Sequence, residues 1–246
     1  MADLHWTMPI ARWTSISTAG APGVEALDPM VRRRLSRLSR VALQAAYDCA
    51  GSDDDPLRMV FASRHGELAR TTGILAAIGA REPVSPTAFS LSVLNAVTGI
   101  FGIARRDRSP ATAIAAGHET LGYALLEAYS QYETSPASQV LLVYAHEPAD
   151  PVYGAVDDDP HSVGLAILLG AAEPAGYLTC EMAAEDADEE ADEEADEEAD
   201  EEADEEAADA AGTQSAALLH CLSTRTTASW HSRHASWRWS WHDRAA

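Results

Sequence analysis

The chain has 246 residues, which is enough for one domain with a sizeable core, or for one domain with an appendage. Its formal net charge of −22 arises mainly in one segment: residues 185–209 hold 18 of the 39 acidic residues, which leaves 21 acids against 17 bases elsewhere. All 17 bases are arginine, so a lysine nucleophile, a Schiff base and a P-loop lysine are excluded. The small amount of positive charge also argues against a nucleic-acid partner.

The sequence predicts a cytoplasmic protein without a membrane span. No apolar stretch approaches the ~20 residues that a membrane-spanning helix needs, and residues 1–5 lack the features of a signal peptide. Cys49, Cys180 and Cys221 lie far apart and form neither a disulfide framework nor a Cys-x-x-Cys motif. No cofactor is predicted.

Apolar periodicity predicts a strand or arm in residues 1–27 and a helix from Asp28-Pro29 to Gly51. A strand at 57–63 and a helix at 67–79 follow. After a break at 83–86, a second helical run covers 90–104. The first helix is crowded with arginines, which predicts a solvated face or, alternatively, a docking face for an anion or an acyl carrier; they are Arg32, Arg33, Arg34, Arg37 and Arg40.

In the second half, a small-residue strand at 111–116 is predicted to turn at Gly117 into a helix that reaches about residue 132. Apolar strands follow at 139–145 and 163–169, with only a loop between them, so this pair is expected to be antiparallel. Strands that alternate with helices otherwise predict a largely parallel sheet sandwiched between helices. Alternation over 237–241 predicts a last strand with one tryptophan face.

Residues 187–206 are five copies of Ala-Asp-Glu-Glu. A helix there would place like charges four residues apart, so a disordered, solvated linker is predicted; calcium capture and nucleic-acid mimicry are the alternatives. The predicted organisation is therefore a domain over 1–184, an acidic disordered repeat over 185–211, and a C-terminal segment over 212–246 that returns to the same domain.

The turn at residues 115–119 is the most informative place for chemistry. A buried strand that runs through a tight turn into a helix displays one side chain at the helix N-terminus, where backbone N–H groups can stabilise an anion. Nucleophile elbows use this geometry. Here the displayed residue is His118, with Glu119 beside it, and neither cysteine nor serine is present.

Three segments carry a resemblance to a known family: residues 61–67 (FASRHGE), 85–96 (SPTAFSLSVLNA) and 112–117 (TAIAAG). Together they resemble a β-ketoacyl synthase N-terminal-like family that accompanies aryl polyene and related fatty-acid-like pathways, whose members resemble chain length factors. The likeness runs from about residue 32 to residue 169, and the closing Trp-x-Trp pattern also fits.

The resemblance implies an α/β, half-thiolase-like fold: a mixed sheet sandwiched by helices, as in the N-terminal half of a ketosynthase. It places His118 at the nucleophile position, or Ile114 in a shifted register, and neither register supplies a thiol. The histidines and glycine-rich loop that complete a ketosynthase site belong to a C-terminal half that this chain lacks. The resemblance also implies a dimer contact formed by Phe89, Ser92, Asn95, Val97, Phe101, Thr112 and Ile114.

Other side chains have simpler interpretations. Ser63 next to His65 suggests a reactive serine, but neighbours in a loop seldom point together. A zinc site at Cys221, His231, His234 and His242 has irregular spacing, so no metal is predicted. Cys49 is interpreted as a small buried residue, and the tryptophan stripe as packing rather than a ligand cage.

The leading hypothesis is a non-catalytic, chain-length-factor-like subunit that forms a heterodimer with an active β-ketoacyl synthase. The enzyme alternative is a small acyl-thioester hydrolase or decarboxylase that uses His118 and Glu119. The third hypothesis is a scaffold module that binds an acyl carrier protein through the arginine-rich first helix.

Overall fold

The computed structural model describes residues 3–17, 22–51, 56–135, 139–154, 163–170, 174–184 and 212–243. The predicted acidic linker lies outside these residues. The chain forms two compact units: a larger one from Ile10–Pro174 and a smaller one from Met1–Pro9 with Ala175–Ala246. Among the described residues, no helix is both long enough and apolar enough to cross a membrane.

The larger unit is built on a mixed sheet. Its strands are the second part of β1 (Leu4–Ser17), β2 (Arg58–Ala62), β3 (Ala111–Ile114), β4 (Val140–His146) and β5 (Val163–Leu169), in the order β3-β2-β4-β5-β1. Only β2 with β3 and β2 with β4 pair in parallel; β5 is antiparallel to both β4 and β1. The antiparallel pair is confirmed. The expectation of a largely parallel sheet is wrong, because no α-helix lies between β4 and β5 among the described residues and because β1 joins the sheet as an antiparallel partner of β5.

The described residues of this unit also form six α-helices, of which α2, α5 and α6 pack on the sheet; they are α1 (Pro29–Arg32), α2 (Arg37–Ala50), α3 (Leu68–Gly79), α4 (Pro86–Ser90), α5 (Ala96–Arg105) and α6 (Thr120–Thr134). The predicted helix over 29–51 is divided because the Ser36 hydroxyl caps a new helix by accepting the N–H of Ser39. The predicted run over 90–104 is divided by a turn at 91–95. Every residue of β4 and β5 is buried, so helices cover both faces of these strands.

The smaller unit contains the first part of β1, β6 (Gly176–Ala184), α7 (Gln214–Thr224), β7 (Ala228–His231) and β8 (Ala235–His242). Its strand order is β1-β6-β8-β7. Trp237 and Trp239 are fully buried on one face of β8, and Trp6 meets Trp237 edge to face at a centroid distance of 6.3 Å. The predicted tryptophan-faced strand and its packing role are thereby confirmed. Strands β6 and β7 were not predicted from the sequence.

A hydrogen-bonded carboxylate in the larger unit predicts that the stability of the chain depends on pH. The carboxylate of Asp107 accepts the N–H groups of Leu57 and Ser109, both at 2.8 Å, and thereby fixes the start of β2. Burial acts to raise the pKa of Asp107, but the hydrogen bonds from Ser109 and Leu57 and the charge of Arg105 outweigh it and lower this pKa below its usual value.

We therefore expect Asp107→Asn to lower the free energy of unfolding by about 1 kcal/mol near neutral pH. Because the folded-state pKa is depressed, this contribution is present above the unfolded-state pKa and is lost as the pH falls through the folded-state value. Urea unfolding at neutral and acid pH measures it, with the exposed Asp3→Asn as control. A difference that persists unchanged in acid would contradict the assignment.

Candidate functional site

The candidate site lies where three parallel strands end. Strands β2, β3 and β4 run in the same direction, so their carboxyl ends meet at one edge of the sheet. The segment from Ser63 to Glu67 follows β2, and residues 115–119 follow β3. His146 is the last residue of β4, and Glu147 follows it. This edge is where ligands usually bind in open α/β sheets.

The turn after β3 has the predicted elbow shape. Gly117 adopts a positive φ of 60°, which a side chain would disfavour. The hydroxyl of Thr120 accepts the N–H of Ala116 at 2.9 Å and donates to the carbonyl of Gly117 at 2.7 Å, which closes the turn. One turn of 3-10 helix, Gly117–Glu119, then leads into α6. His118 is exposed at this turn, whereas Ile114 lies within β3.

His118 and Glu119 are engaged with different partners. Nε2 of His118 lies 2.8 Å from Nη2 of Arg64, which comes from the segment after β2. Glu119 is only 7% exposed and accepts a hydrogen bond from the hydroxyl of Tyr123. Burial raises the pKa of Tyr123, and the charge of Glu119 and this hydrogen bond raise it further. Arg64 was missed as a site residue because its contact depends on the parallel pairing of β2 with β3.

The three cysteines are all buried and lie in α2, β6 and α7, and none belongs to the turn after β3. Burial raises the pKa of Cys49 to about 12 and that of Cys221 to about 11. These thiols therefore stay protonated near neutral pH, and a thiolate nucleophile needs the opposite shift.

The segment after β2 has a structural role at both of its ends. The hydroxyl of Ser63 accepts the N–H of Gly66 at 3.0 Å, which favours the turn over a reactive serine. Gly66 has a φ of 55°, and a Cβ there would lie 3.0 Å from Leu94. Glu67 then precedes α3.

Glu67 joins three parts of the larger unit. Its side chain is 2% exposed. One carboxylate oxygen accepts the hydroxyls of Ser36, at 2.6 Å, and of Ser39. The other oxygen accepts Nε of Arg70 at 3.2 Å, and Arg70 also donates to the carbonyl of Arg34. The negative charge thus lies at the N-terminus of α2, where the helix dipole favours it.

We expect Glu67→Ala to lower the free energy of unfolding by about 3 kcal/mol, because Arg70 and two serines lose their buried acceptor. The matched control is Glu25→Ala. It removes a carboxylate 2.6 Å from Arg32, but Glu25 is 84% exposed, so the loss should stay below about 1 kcal/mol. Denaturant unfolding at neutral pH compares the two variants; equal losses would contradict a structural role for Glu67.

A pair of histidines, His65 and His146, lies at the same edge of the sheet. The rings of His65 and His146 have centroids 5.9 Å apart, and His146 is 3% exposed. Burial raises the pKa of the neighbouring Glu147, with a smaller contribution from Glu67 and an opposing one from Arg37. Among the described residues, no group of three histidine, cysteine or acidic side chains is placed to hold a metal ion. The residues of the zinc alternative, Cys221, His231, His234 and His242, therefore do not form such a group.

The structure divides the predicted interface residues between surface and core. Phe89 in α4 is 65% exposed, and Asn95 is exposed at the start of α5. Ser92 is half-buried and donates to the carbonyl of Phe89 at 2.8 Å. Val97 and Phe101 are 1% and 2% exposed and belong to the core of the larger unit, so an interface role for these two needs correction. Their side chains point inward because α5 packs on α2 and β2.

The remaining two predicted interface residues lie on β3, at the end of the strand order. Thr112 and Ile114 are half-buried, and the Thr112 hydroxyl accepts Nε2 of Gln131 at 2.9 Å. Within the described part of the chain, β3 pairs with β2 alone. Its other edge therefore presents backbone donors and acceptors that another strand can use.

An apolar surface formed by α3 and α4 was not predicted. Neither helix has a buried residue, although α3 has the sequence LARTTGILAAIG. Leu75, Ile78 and Phe89 are each more than half exposed, and α3 contacts α4. Periodicity identified α3 as a helix, but within the described part of the chain no layer covers its apolar residues.

Two solved structures share this fold over most of the chain. A chain of the complex of the ketosynthase ApeO with its chain length factor ApeC from Xenorhabdus doucetiae aligns with a TM-score of 0.71 and 22% identity, covering 96% of this chain and 99% of that one. A chain of the ishigamide ketosynthase/chain length factor aligns with a TM-score of 0.59 and 18% identity, covering 74% and 69%. At identities this low, the structural likeness shows the fold alone. The half-thiolase-like α/β expectation is confirmed.

The ketosynthase from module 1 of the bacillaene synthase of Bacillus amyloliquefaciens FZB42 aligns with a TM-score of 0.50 and 14% identity, covering 68% of this chain but 36% of that longer one. A search of curated proteins found no match. The family model described as the N-terminal domain of β-ketoacyl synthase matches residues 6–240. The chain therefore belongs to the β-ketoacyl synthase N-terminal domain family.

Proposed function

We propose that this chain is a non-catalytic, chain-length-factor-like subunit that pairs with an active β-ketoacyl synthase in polyene or fatty-acid-like biosynthesis. The observation that carries the proposal is the open edge of β3, because an unpaired edge strand invites a strand from another subunit. The neighbouring apolar surface of α3 and α4 supports it, since exposed apolar helices are usually covered by a partner. The two similar chains come from complexes of a ketosynthase with a chain length factor.

The chemistry of the elbow supports a non-catalytic role. Condensation requires a thiolate that holds the acyl group, and the elbow presents His118 instead. The hydrolase alternative would use His118 as a base, but its Nε2 faces the guanidinium of Arg64 at 2.8 Å. An arginine donor at that position occupies the lone pair with which the base would accept a proton.

The scaffold alternative depends on the arginines around α1 and α2. Arg32 contacts Glu25, and Arg40 donates to the carbonyls of Arg32 and Pro22, so these two hold the loop before α1. Arg33 and Arg34 are exposed. An acyl carrier protein is therefore proposed as a second partner of the heterodimer rather than as the main one.

Co-expression with ketosynthases tests the pairing. We expect an affinity-tagged chain to co-purify with its cognate ketosynthase as a complex of equal stoichiometry on size-exclusion chromatography. A ketosynthase from an unrelated pathway serves as control. Separate elution of the chain and every ketosynthase of its own gene neighbourhood would overturn the proposal.

The isolated chain should be inert. We expect neither condensation nor thioester hydrolysis with acyl- and malonyl-carrier proteins, because no thiolate is present at the elbow. Mass spectrometry of the carrier-bound acyl groups measures both reactions. Turnover that disappears in His118→Ala would favour the hydrolase alternative instead.

A further inference from the structure

A cleft of about 860 Å³ lies at the end of α2 in the larger unit. Its volume is within the range of about 300–1,000 Å³ that is typical of small-molecule sites. Its walls come from the loop before α1, one face of the last turns of α2, and the end of α5. The polar side chains that line it are Glu25, Gln44, Tyr47, Asp48, Arg105 and Arg106. None of them belongs to the elbow or to the surface of α3 and α4.

Opposite charges come to this cleft from different elements. The carboxylates of Glu25 and Asp48 come from the loop before α1 and from α2. The guanidinium groups of Arg105 and Arg106 come from the end of α5. Glu25 already pairs with an arginine of α1, and Arg105 donates to the carbonyl of Gly51 at 3.4 Å. A ligand therefore reaches Asp48 and Arg106 with the smaller loss of existing contacts.

Three groups in the cleft can contact a ligand directly. The guanidinium of Arg106 is exposed, and among the described residues it has neither a hydrogen-bond acceptor nor an ion-pair partner. One carboxylate oxygen of Asp48 accepts the side-chain amide of Gln44 at 2.8 Å, which leaves the other oxygen for a ligand. The ring centre of Tyr47 lies 5.2 Å from that of Phe101. Burial raises the pKa of Tyr47, so its hydroxyl stays protonated and can donate.

The backbone of Arg106 supports a role for its side chain other than folding. Arg106 ends α5 with a positive φ of 57°, where glycine is favoured because it has no Cβ. The N–H groups of Arg106 and Asp107 close the helix on the carbonyls of Ile103 and Gly102. These backbone bonds do not need the guanidinium, so an arginine at this position is better explained by a ligand than by the turn.

We propose that this cleft binds a small zwitterion, whose carboxylate contacts Arg106 and whose ammonium group contacts Asp48, with the hydroxyl of Tyr47 as a further donor. A guanidinium binds a carboxylate through two parallel N–H groups, and an ammonium group makes charge-assisted hydrogen bonds to a carboxylate. Asp48 and Arg106 form no ion pair with each other. A molecule with both charges therefore gains two contacts, whereas a simple ion gains one. The site is independent of pairing with a ketosynthase.

Triglycine is a suitable probe because it carries one charge at each end and no side chain. The full chain is titrated with triglycine, with its N-acetyl form and with its C-terminal amide, and the backbone amide resonances of residues 47–51 and 104–106 are followed by NMR. We expect saturable shifts with a Kd of about 1 mM. Each blocked form should bind at least about fivefold more weakly. Free glycine, titrated in the same way, distinguishes a single amino acid from a peptide.

Variants locate the site and separate binding from folding. Arg106→Gly removes the guanidinium at a position where glycine is favoured, so triglycine binding should be lost while the unfolding temperature does not fall. The matched control is Arg81→Gly, which makes the same change after α3, at a φ of 58° and outside the cleft, and should bind as the native chain does. Asp48→Asn keeps an acceptor for Gln44 but should bind triglycine no better than the N-acetyl form.

Several results would overturn the proposal. One is the lack of saturation with triglycine, and another is equal binding of triglycine and its two blocked forms. A third is native binding by either Arg106→Gly or Asp48→Asn, provided that circular dichroism shows the variant folded. Equal losses in Arg106→Gly and Arg81→Gly would also overturn it, because Arg81 does not line the cleft. If Arg106→Gly fails to fold, Asp48→Asn and the blocked peptides still decide.

Discussion

Replacing Ala113 with proline should abolish association with the ketosynthase and leave the chain folded. The carbonyls of Pro110 and Ile114 accept the N–H groups of Met59 and Ser63 on β2. Since backbone groups of successive strand residues point to opposite sides, Thr112 also faces β2. The N–H of Ala113 therefore points to the other edge of β3, where proline removes a donor that no strand in the described part of the chain uses.

The matched control is one residue away. Thr112→Pro removes an N–H directed at β2, and it should therefore destabilise the chain itself. Circular dichroism and thermal unfolding separate the two variants, and size-exclusion chromatography of the co-expressed pair measures association. A normal complex with Ala113→Pro would place the partner elsewhere. Unfolding of Ala113→Pro would show that the edge is used within the chain.

Much of the larger unit could be predicted because its signals are local. The strands at 140–146 and 163–169 are continuous apolar runs, and both are buried on two faces. The elbow was predictable from a small-residue strand followed by Gly117, since a positive φ favours glycine. Sheet order could not be predicted, because β1 pairs with β5 residues that lie 146 to 159 positions later in the chain.

The features of the site that the sequence did not predict also depend on contacts between residues far apart in the chain. Residues 90–104 are apolar enough to predict one helix, but the turn at 91–95 exposes Phe89 while Phe101 is buried. Periodicity within the run does not reveal which side meets α2 and which side meets solvent. Arg64 was inside a segment that the resemblance identified, yet only the parallel pairing of β2 with β3 brings it to His118.

Arginine substitutions at Phe89 and Phe101, on either side of the turn at 91–95, should therefore have opposite consequences for folding. Phe101 is 2% exposed, its ring centre lies 5.2 Å from that of Tyr47, and the Arg105 guanidinium lies 5.4 Å from it. Phe101→Arg removes a buried ring, which costs about 3–5 kcal/mol, and brings a second cation toward Arg105 in an apolar environment. Because a domain is stable by only about 5–15 kcal/mol, we expect this variant to be largely unfolded.

Phe89→Arg changes a side chain that is 65% exposed on α4, so the unfolding temperature of the chain should remain nearly native. At an interface, however, the new charge loses water without gaining a partner, and association with the ketosynthase should fail. Circular dichroism of each variant alone and size-exclusion chromatography of each co-expressed pair give the two readouts. A folded Phe101→Arg chain would contradict the core assignment. A normal complex with Phe89→Arg would show that α4 lies outside the partner surface.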